Sequence, residues 1–416
     1  MSAPTESPHN TLVIIGNGMA SNRLLEQLGE HHPFEQILVL SNEAVPHYNR
    51  IMLSPLLAGD TQLSQITPHD EHWYQQRRIR ILLNHTVTRL DVAQRQLECG
   101  QRRIGFSQLV IATGSQPSIP HLPHADAHNV SGFRDIRDVE RMLEQLPQLS
   151  HVCVIGAGLL GVEAAVGLRS QGVDVSLLHR NPVLMNRQLD ASAAGLLQQS
   201  LQQRGIAVHS GISQIELQAR GQRVSAVSWN TAGSAQPQQQ PTELVIFTTG
   251  VSPLIRLAGQ QLACDRGILV DQYMRTSVNG IYALGECCQF EQHTYGLVAP
   301  IWDQASVLAQ QLTQPARQHD QQVYREQSHL TKLKVSGLDV HSLGQVEAGA
   351  DEETLSYLDE QAMLYKKIIL RNNRISGALC LGDVRDSQWY FELMRNQECV
   401  TQLRDRLLFG RAACVA

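Results

Sequence analysis

The sequence predicts an α/β fold built on two nucleotide-binding βαβ units, and three observations carry that prediction. The apolar run Thr11-Leu12-Val13-Ile14-Ile15 leads into Gly16-Asn17-Gly18-Met19-Ala20-Ser21, and a helix-like segment follows. The same order recurs where Val152-Cys153-Val154-Ile155 leads into Gly156-Ala157-Gly158-Leu159-Leu160-Gly161. From about Tyr324 the pattern changes to period-two alternation, as in Thr331–Val335 and Leu364–Leu370, which argues for strands. The fold class is therefore two Rossmann-like dinucleotide-binding domains plus a small C-terminal α+β domain.

Glycine has a geometric purpose in each turn. The first allows the tight bend, the second lets backbone approach a pyrophosphate, and the third lets helix and strand pack closely. The pyrophosphate then meets the unpaired N–H groups and positive end of the helix. The second turn is complete, whereas the first has Ser21 at its third position. A single turn of this kind is weak evidence, but two imply a chain that holds two nucleotide cofactors together.

Each remaining element extends this pattern. Ile37–Leu40 is the second strand of the first unit, and Glu43 just beyond it is a candidate for ribose hydroxyls, with a solvated loop carboxylate as the alternative. Leu109–Ile111 ends in Ala112-Thr113-Gly114, after which Pro117, Pro120 and Pro123 mark a crossing between domains. Val173–Leu178, closed by His179 and Arg180, is the second strand of the second unit. The glutamine-rich stretch Gly233–Pro241 reads as a surface loop. Leu244–Phe247 then runs to Gly250, repeating the earlier strand-to-glycine pattern. Gly280–Leu284 ends in Gly285-Glu286, and a helix is expected over Ile301–Leu312. The expected domains are 1–120 and 246–323 for one nucleotide, 121–245 for the other, and 324–416 at the C-terminus.

Composition narrows the function class. The 416 residues exceed one core, and 42% hydrophobic with 18% charged residues describes a globular chain. A net charge of −5 gives no footprint for nucleic acid or anionic membrane, and no apolar run is long enough to span a bilayer. The polar start Met1–Asn10 lacks a signal-peptide core, so a cytoplasmic location is expected. The eight cysteines form no C-x-x-C pair and no four-cysteine cluster spacing. No metal site is expected: His69 and His72 could share a helix face, but no further ligand cluster stands nearby.

With these elements in place the chain resembles the two-dinucleotide-binding flavoprotein reductases of the pyridine nucleotide-disulfide oxidoreductase superfamily, over nearly its whole length. Closer similarity is to the flavin module of bacterial NAD(P)H nitrite reductases. It rests on His47–Ser54, Met185–Asp190, Tyr295–Pro300, Thr331–Gly337 and Arg406–Gly410. Pro55 stands where rubredoxin- and ferredoxin-reductase relatives carry a lysine. In the nitrite reductases cysteine-rich and siroheme domains follow Arg406–Gly410, whereas here only Cys414 lies beyond, so a free-standing reductase subunit is expected.

The resemblance implies FAD as cofactor and NAD(P)H as electron donor. On this pattern Gly16, Gly18, Ala20 and Ser21 hold the FAD pyrophosphate, with Glu43 near the ribose. Ala112, Thr113 and Gly114 touch the flavin nucleotide, and Gly285 and Glu286 match a Gly-Asp pair that binds the ribityl chain. Gly156, Gly158, Leu160 and Gly161 hold the nicotinamide nucleotide, and Gly250 joins the cofactor-binding set. His179, Arg180 and Arg187 bear on NADH against NADPH, which stays open. The candidate catalytic residues are Arg50 near the flavin, Glu163 beside the nicotinamide and Trp302 against the flavin. The same three also read as a loop cation, a helix-surface acid and a core aromatic. Cys287 and Cys288 read as small apolar packing groups.

The implied activity is hydride transfer from NAD(P)H to FAD, with electrons passed to a partner redox protein. That partner would be the catalytic subunit of an assimilatory nitrate or nitrite reductase, or a small iron–sulfur or rubredoxin-like carrier. An NADH oxidase or peroxidase would place a reactive cysteine early, yet no cysteine precedes Cys99. A non-enzymatic nucleotide sensor would tolerate lost glycines, and both turns are largely intact. Oligomeric state is not legible.

Overall fold

The computed structural model describes residues 10–231, 233, 236–259, 261–314, 322–335 and 337–414. Most of the polar start, and part of the glutamine-rich stretch, therefore lie outside the described residues. The chain divides into two compact units.

The first unit comprises Met1–Met52, Thr61–Gln116 and Val251–Gln327. Its five-stranded parallel sheet runs, edge to edge, Ile281–Ala283, Gln108–Ile111, Thr11–Ile15, Gln36–Leu40 and Ile79–Leu82. Leu12, Val13, Ile14, Leu109, Val110 and Ile111 are buried, which is why these strands read as unbroken apolar runs. Helices Met19–Leu28 and Val298–Thr313 pack against each other and bury Leu24, Leu25, Ala305 and Leu308. Each such leucine contributes roughly 1.5–3 kcal/mol of burial.

The second unit comprises Leu53–Asp60, Pro117–Gly250 and Ser328–Ala416. Its parallel sheet runs Ile206–Ser210, Asp174–His179, His151–Ile155, Leu244–Phe247 and Val130–Gly132. Helix Leu53–Ala58, though early in sequence, packs on helix Leu159–Ser170 of this unit. Gly167 allows that approach, since a Cβ there would lie 3.4 Å from both the Leu57 side chain and the Ser54 carbonyl.

A second, antiparallel sheet in this unit is ordered Thr331–Val335, Leu338–Gly344, Arg374–Leu381, Leu364–Arg371 and Glu353–Asp359. Helix Ser387–Arg395 covers it and buries Tyr390 and Leu393. This α+β segment clusters with the second parallel sheet. A buried group ties it there: Lys367 Nζ lies 2.9 Å, and Tyr365 Oη 2.7 Å, from Asp190 Oδ2.

Two local expectations need correction. Gln238–Pro241 is not loop but the edge strand of a three-stranded sheet with Ile212–Arg220 and Arg223–Thr231. Pro241 is tolerated there because an edge strand has one side without ladder partners. His69 and His72 do not share a helix face. His69 precedes helix Glu71–Gln76 and bonds Glu26 at 3.1 Å, whereas His72 bonds Gln76 at 2.8 Å.

Candidate functional site

The two glycine turns are built alike. Gly16 N donates to Leu40 O and Gly156 N to Leu178 O, each at 2.8 Å, so both loops close on the tip of the neighbouring strand. Gly16 and Gly156 have φ of +105° and +111°, which only glycine adopts easily. A Cβ at Gly16 would fall 2.2 Å from the Ala112 carbonyl oxygen, and one at Gly156 would fall 2.7 Å from that of Thr248. Helices Met19–Leu28 and Leu159–Ser170 start from Gly18 and Gly158 with no side-chain cap, leaving their first N–H groups for a ligand.

The third position shows how the copies differ. A Cβ at Gly161 would come within 1.8 Å of the Gly156 carbonyl oxygen, so glycine is obligatory. In the first unit Ser21 occupies this place, and its hydroxyl donates to the Gly16 carbonyl at 2.6 Å. The second unit supplies that hydroxyl from the adjoining strand end, where Thr248 Oγ1 donates to the Gly156 carbonyl at 2.7 Å.

Around the first turn the structure gathers most of the expected residues. Gly285 (φ +84°) approaches so closely that a Cβ would lie 2.8 Å from Ala20 Cβ. Its N–H donates to the side chain of buried Gln304 at 3.1 Å. Glu286 accepts from Ser115 Oγ at 2.7 Å. Thr113 Oγ1 donates to Leu254 O, and Gly114 O accepts from Leu254 N. Asn17, in the loop, has both side-chain polar atoms buried with no partner, an arrangement that a bound polar ligand would satisfy.

Glu43 is not a solvated loop acid. It is 7% exposed, accepts from Tyr48 Oη at 2.7 Å, and pairs with Arg50. Arg50 in turn lies over the glycine turn, its Nε 3.7 Å from where a Gly18 Cβ would be. Behind the loop, buried His47 Nδ1 donates to the Asn17 carbonyl at 3.3 Å. Burial pushes the imidazole down to about 4, so it is uncharged at neutral pH. Trp302 is half-buried against this core, with the Arg23 guanidinium 5.6 Å from its ring centre.

Around the second turn, His179 Nδ1 accepts from Ala157 N at 3.0 Å. The imidazole therefore fastens the strand tip to the loop, and burial, aided by Arg180, lowers its pKa. Met185 N donates to Ala157 O at 2.9 Å and folds the following segment back onto the turn. Arg180 and Arg187 are exposed, and among the described residues no hydrogen bond or ion pair ties either to the loop. Leu160 and Gly161 begin the helix, while Gly250 (φ +115°) accepts from Ser118 N. Glu163, one turn along, accepts from Ser54 Oγ at 2.9 Å.

Tyr48, His47, Asn17, Ser54 and Thr248 carry contacts that the motifs did not assign to them. Tyr48, His47 and Ser54 lie inside the His47–Ser54 stretch, so position in a motif was the available signal. All eight cysteines are free thiols. Cys287 and Cys288 are buried, with Sγ donating to Ile111 O and Gly285 O respectively.

Comparison with known proteins agrees with this architecture. Residues 10–311 match the pyridine nucleotide-disulphide oxidoreductase family, and residues 330–398 match the rubredoxin NAD+ reductase C-terminal domain. The chain is 37% identical to "Nitrite reductase [NAD(P)H]" of Bacillus subtilis, over 94% of this chain and 48% of that protein. It is 33% identical to the "Assimilatory nitrate reductase electron transfer subunit" of the same organism, over 95% and 51%. This chain thus spans about half the length of these curated relatives. The ferredoxin reductase for the CYP199A2 system from Rhodopseudomonas palustris has the same fold, with a TM-score of 0.81 at 23% identity, covering 92% of this chain and 93% of that one. The chain belongs to the pyridine nucleotide-disulphide oxidoreductase family, whose members are FAD- and NAD(P)H-dependent oxidoreductases.

Proposed function

We propose that this chain is the reductase component that takes a hydride from NAD(P)H and passes electrons to a partner redox protein, the catalytic part of a nitrate or nitrite reductase. The observation that carries this reading is the presence of two formed glycine cradles in a chain most of which aligns with a nitrate reductase electron-transfer subunit. Flavin, when bound, accepts a hydride and releases electrons singly.

The chain's own residues would do the rest. The N–H groups at Gly18–Ser21 bind pyrophosphate, and Arg50 over Gly18 adds a cation there. Glu43, held by Tyr48 and Arg50, accepts from ribose hydroxyls. Thr113, Gly114, Gly285 and Glu286 line the same nucleotide, with Glu286 aimed by Ser115. Gly156, Gly158, Leu160 and Gly161 cradle the nicotinamide nucleotide, with Gly250 on the adjoining strand end. His179 fixes that loop, Arg180 and Arg187 supply positive charge near it, and Glu163 faces the nicotinamide. Trp302 would shield the flavin where electrons leave. The domain scheme 1–120, 121–245, 246–323 and 324–416 belongs to this proposal.

A second reading is favoured by the match at residues 330–398, in which the acceptor is a rubredoxin-like carrier. Steady-state oxidation of NADH and NADPH with a purified siroheme nitrite reductase module, a molybdenum nitrate reductase subunit and rubredoxin decides between them. The proposal expects turnover with one of the first two to exceed that with rubredoxin at least tenfold. Preference for rubredoxin would establish the second reading and reject the first.

A further inference from the structure

We infer that Ser54 is a positioning residue whose hydroxyl fixes Glu163 Oε2 so that Oε1 faces the nicotinamide of the incoming donor, and that Glu163 exchanges a proton as that ring changes charge. This rests on the placement of the nicotinamide nucleotide at helix Leu159–Ser170 proposed above.

Geometry is the main support. Helix Leu53–Ala58 leaves the first nucleotide-binding segment in sequence, yet it packs on helix Leu159–Ser170, and Ser54 Oγ donates to Glu163 Oε2 at 2.9 Å. Ser54 is 7% exposed. The sequence Leu53-Ser54-Pro55-Leu56-Leu57-Ala58 contains no cation that could pair with the acid. The strands packed on helix Leu159–Ser170 carry His151, Cys153, Asp174, His179, His209, Lys332 and Lys334 as titratable groups. The shift of the Glu163 carboxyl has two causes, burial and the Ser54 hydrogen bond. Burial dominates and lifts the carboxyl to about 7, while the Ser54 hydrogen bond works in the opposite sense by favouring the charged form.

The consequence concerns the order of charge. With Ser54 on Oε2, the proton of the neutral acid resides on Oε1, where it can donate to the carboxamide of a neutral nicotinamide. After the hydride has left, the nicotinamide ring is a cation, and a carboxylate on Glu163 favours it. Glu163 therefore gives up its proton to solvent more readily with the oxidised nucleotide bound than with the reduced one. This distinguishes donor from product at a single side chain.

The test is binding of NAD+ to the flavin-loaded protein as a function of pH, by titration calorimetry in buffers of different ionisation enthalpy. Affinity should rise roughly three- to tenfold from pH 6 to pH 8, with proton release. Glu163→Gln should flatten that dependence. Ser54→Ala should move the midpoint upward, because the charged form loses its hydrogen bond, and Ser54→Thr should return it toward the wild-type value. A wild-type midpoint retained in Ser54→Ala would overturn the role of Ser54. A dependence retained in Glu163→Gln would overturn that of Glu163. Failure of the functional reading is distinct: neither NADH nor NADPH would then bind or reduce the wild-type protein.

Discussion

At the residue scale, the first glycine of each turn leaves a carbonyl that needs a donor, and the units supply it from different chain positions. Ser21 serves in one and Thr248 in the other, where Gly161 leaves no room for a side chain. Ala112 occupies the strand-end place that Thr248 holds in the second unit, since each closes under its glycine and donates its N–H to Ile15 or Ile155. The two arrangements should be interchangeable. Ser21→Gly alone should cost about 1 kcal/mol through the lost hydrogen bond and added chain entropy. Adding Ala112→Thr should recover most of it in thermal unfolding of the holoprotein. If the double variant is no more stable than Ser21→Gly, the equivalence fails. The glycine pattern displayed the need for close packing, but Thr248 was invisible as a partner because it lies some ninety residues away in sequence. The burial of Glu43 was likewise hidden: its partners Tyr48 and Arg50 stand beyond the strand whose tip defined the motif.

At the scale of elements, the helix starting after Asp190 is tied to the C-terminal sheet. Asp190 Oδ1 caps that helix through Ala193 N at 3.0 Å, while Oδ2 receives Tyr365 and Lys367. The Asp190 and Lys367 side chains are 7% and 8% exposed, so neither charge can be left alone cheaply. Lys367→Met should destabilise the protein by roughly 3–5 kcal/mol, as for breaking other buried pairs. Asp190→Asn in the Lys367→Met background should add much less than it does alone. Additive losses in this double-mutant cycle would show that the pair is not coupled. The alternating pattern of Leu364–Leu370 announced a strand, but not that Lys367 would be buried on it. Gln238–Pro241 was misread for a related reason. Glutamine and proline are poor strand residues on their own, and pairing with Trp229–Ala226 overrides that preference.

At the scale of the whole molecule, the order of apolar strands and glycine turns was enough to locate four strands of the first parallel sheet and three of the second, while Ile79–Leu82, Ile206–Ser210 and Val130–Gly132 went unread because no glycine turn marks them. The assignment of Leu53–Asp60 to the second unit was not legible, since nothing in Leu53–Ala58 marks which core it joins. That small segment delivers Ser54 to Glu163, the contact on which the proposed role of Ser54 rests. The central claim is that NAD(P)H reduces a flavin held by this chain, and that the electrons are meant for a protein. It is tested most directly by rapid anaerobic mixing of the purified protein with NADH and with NADPH, followed by admission of air or of a candidate acceptor protein. The account predicts a bound flavin that bleaches within the enzyme's turnover time with at least one nucleotide, reoxidises slowly in air and recovers rapidly with the protein acceptor. Protein that binds no flavin, or that turns over as fast with oxygen alone, would contradict it.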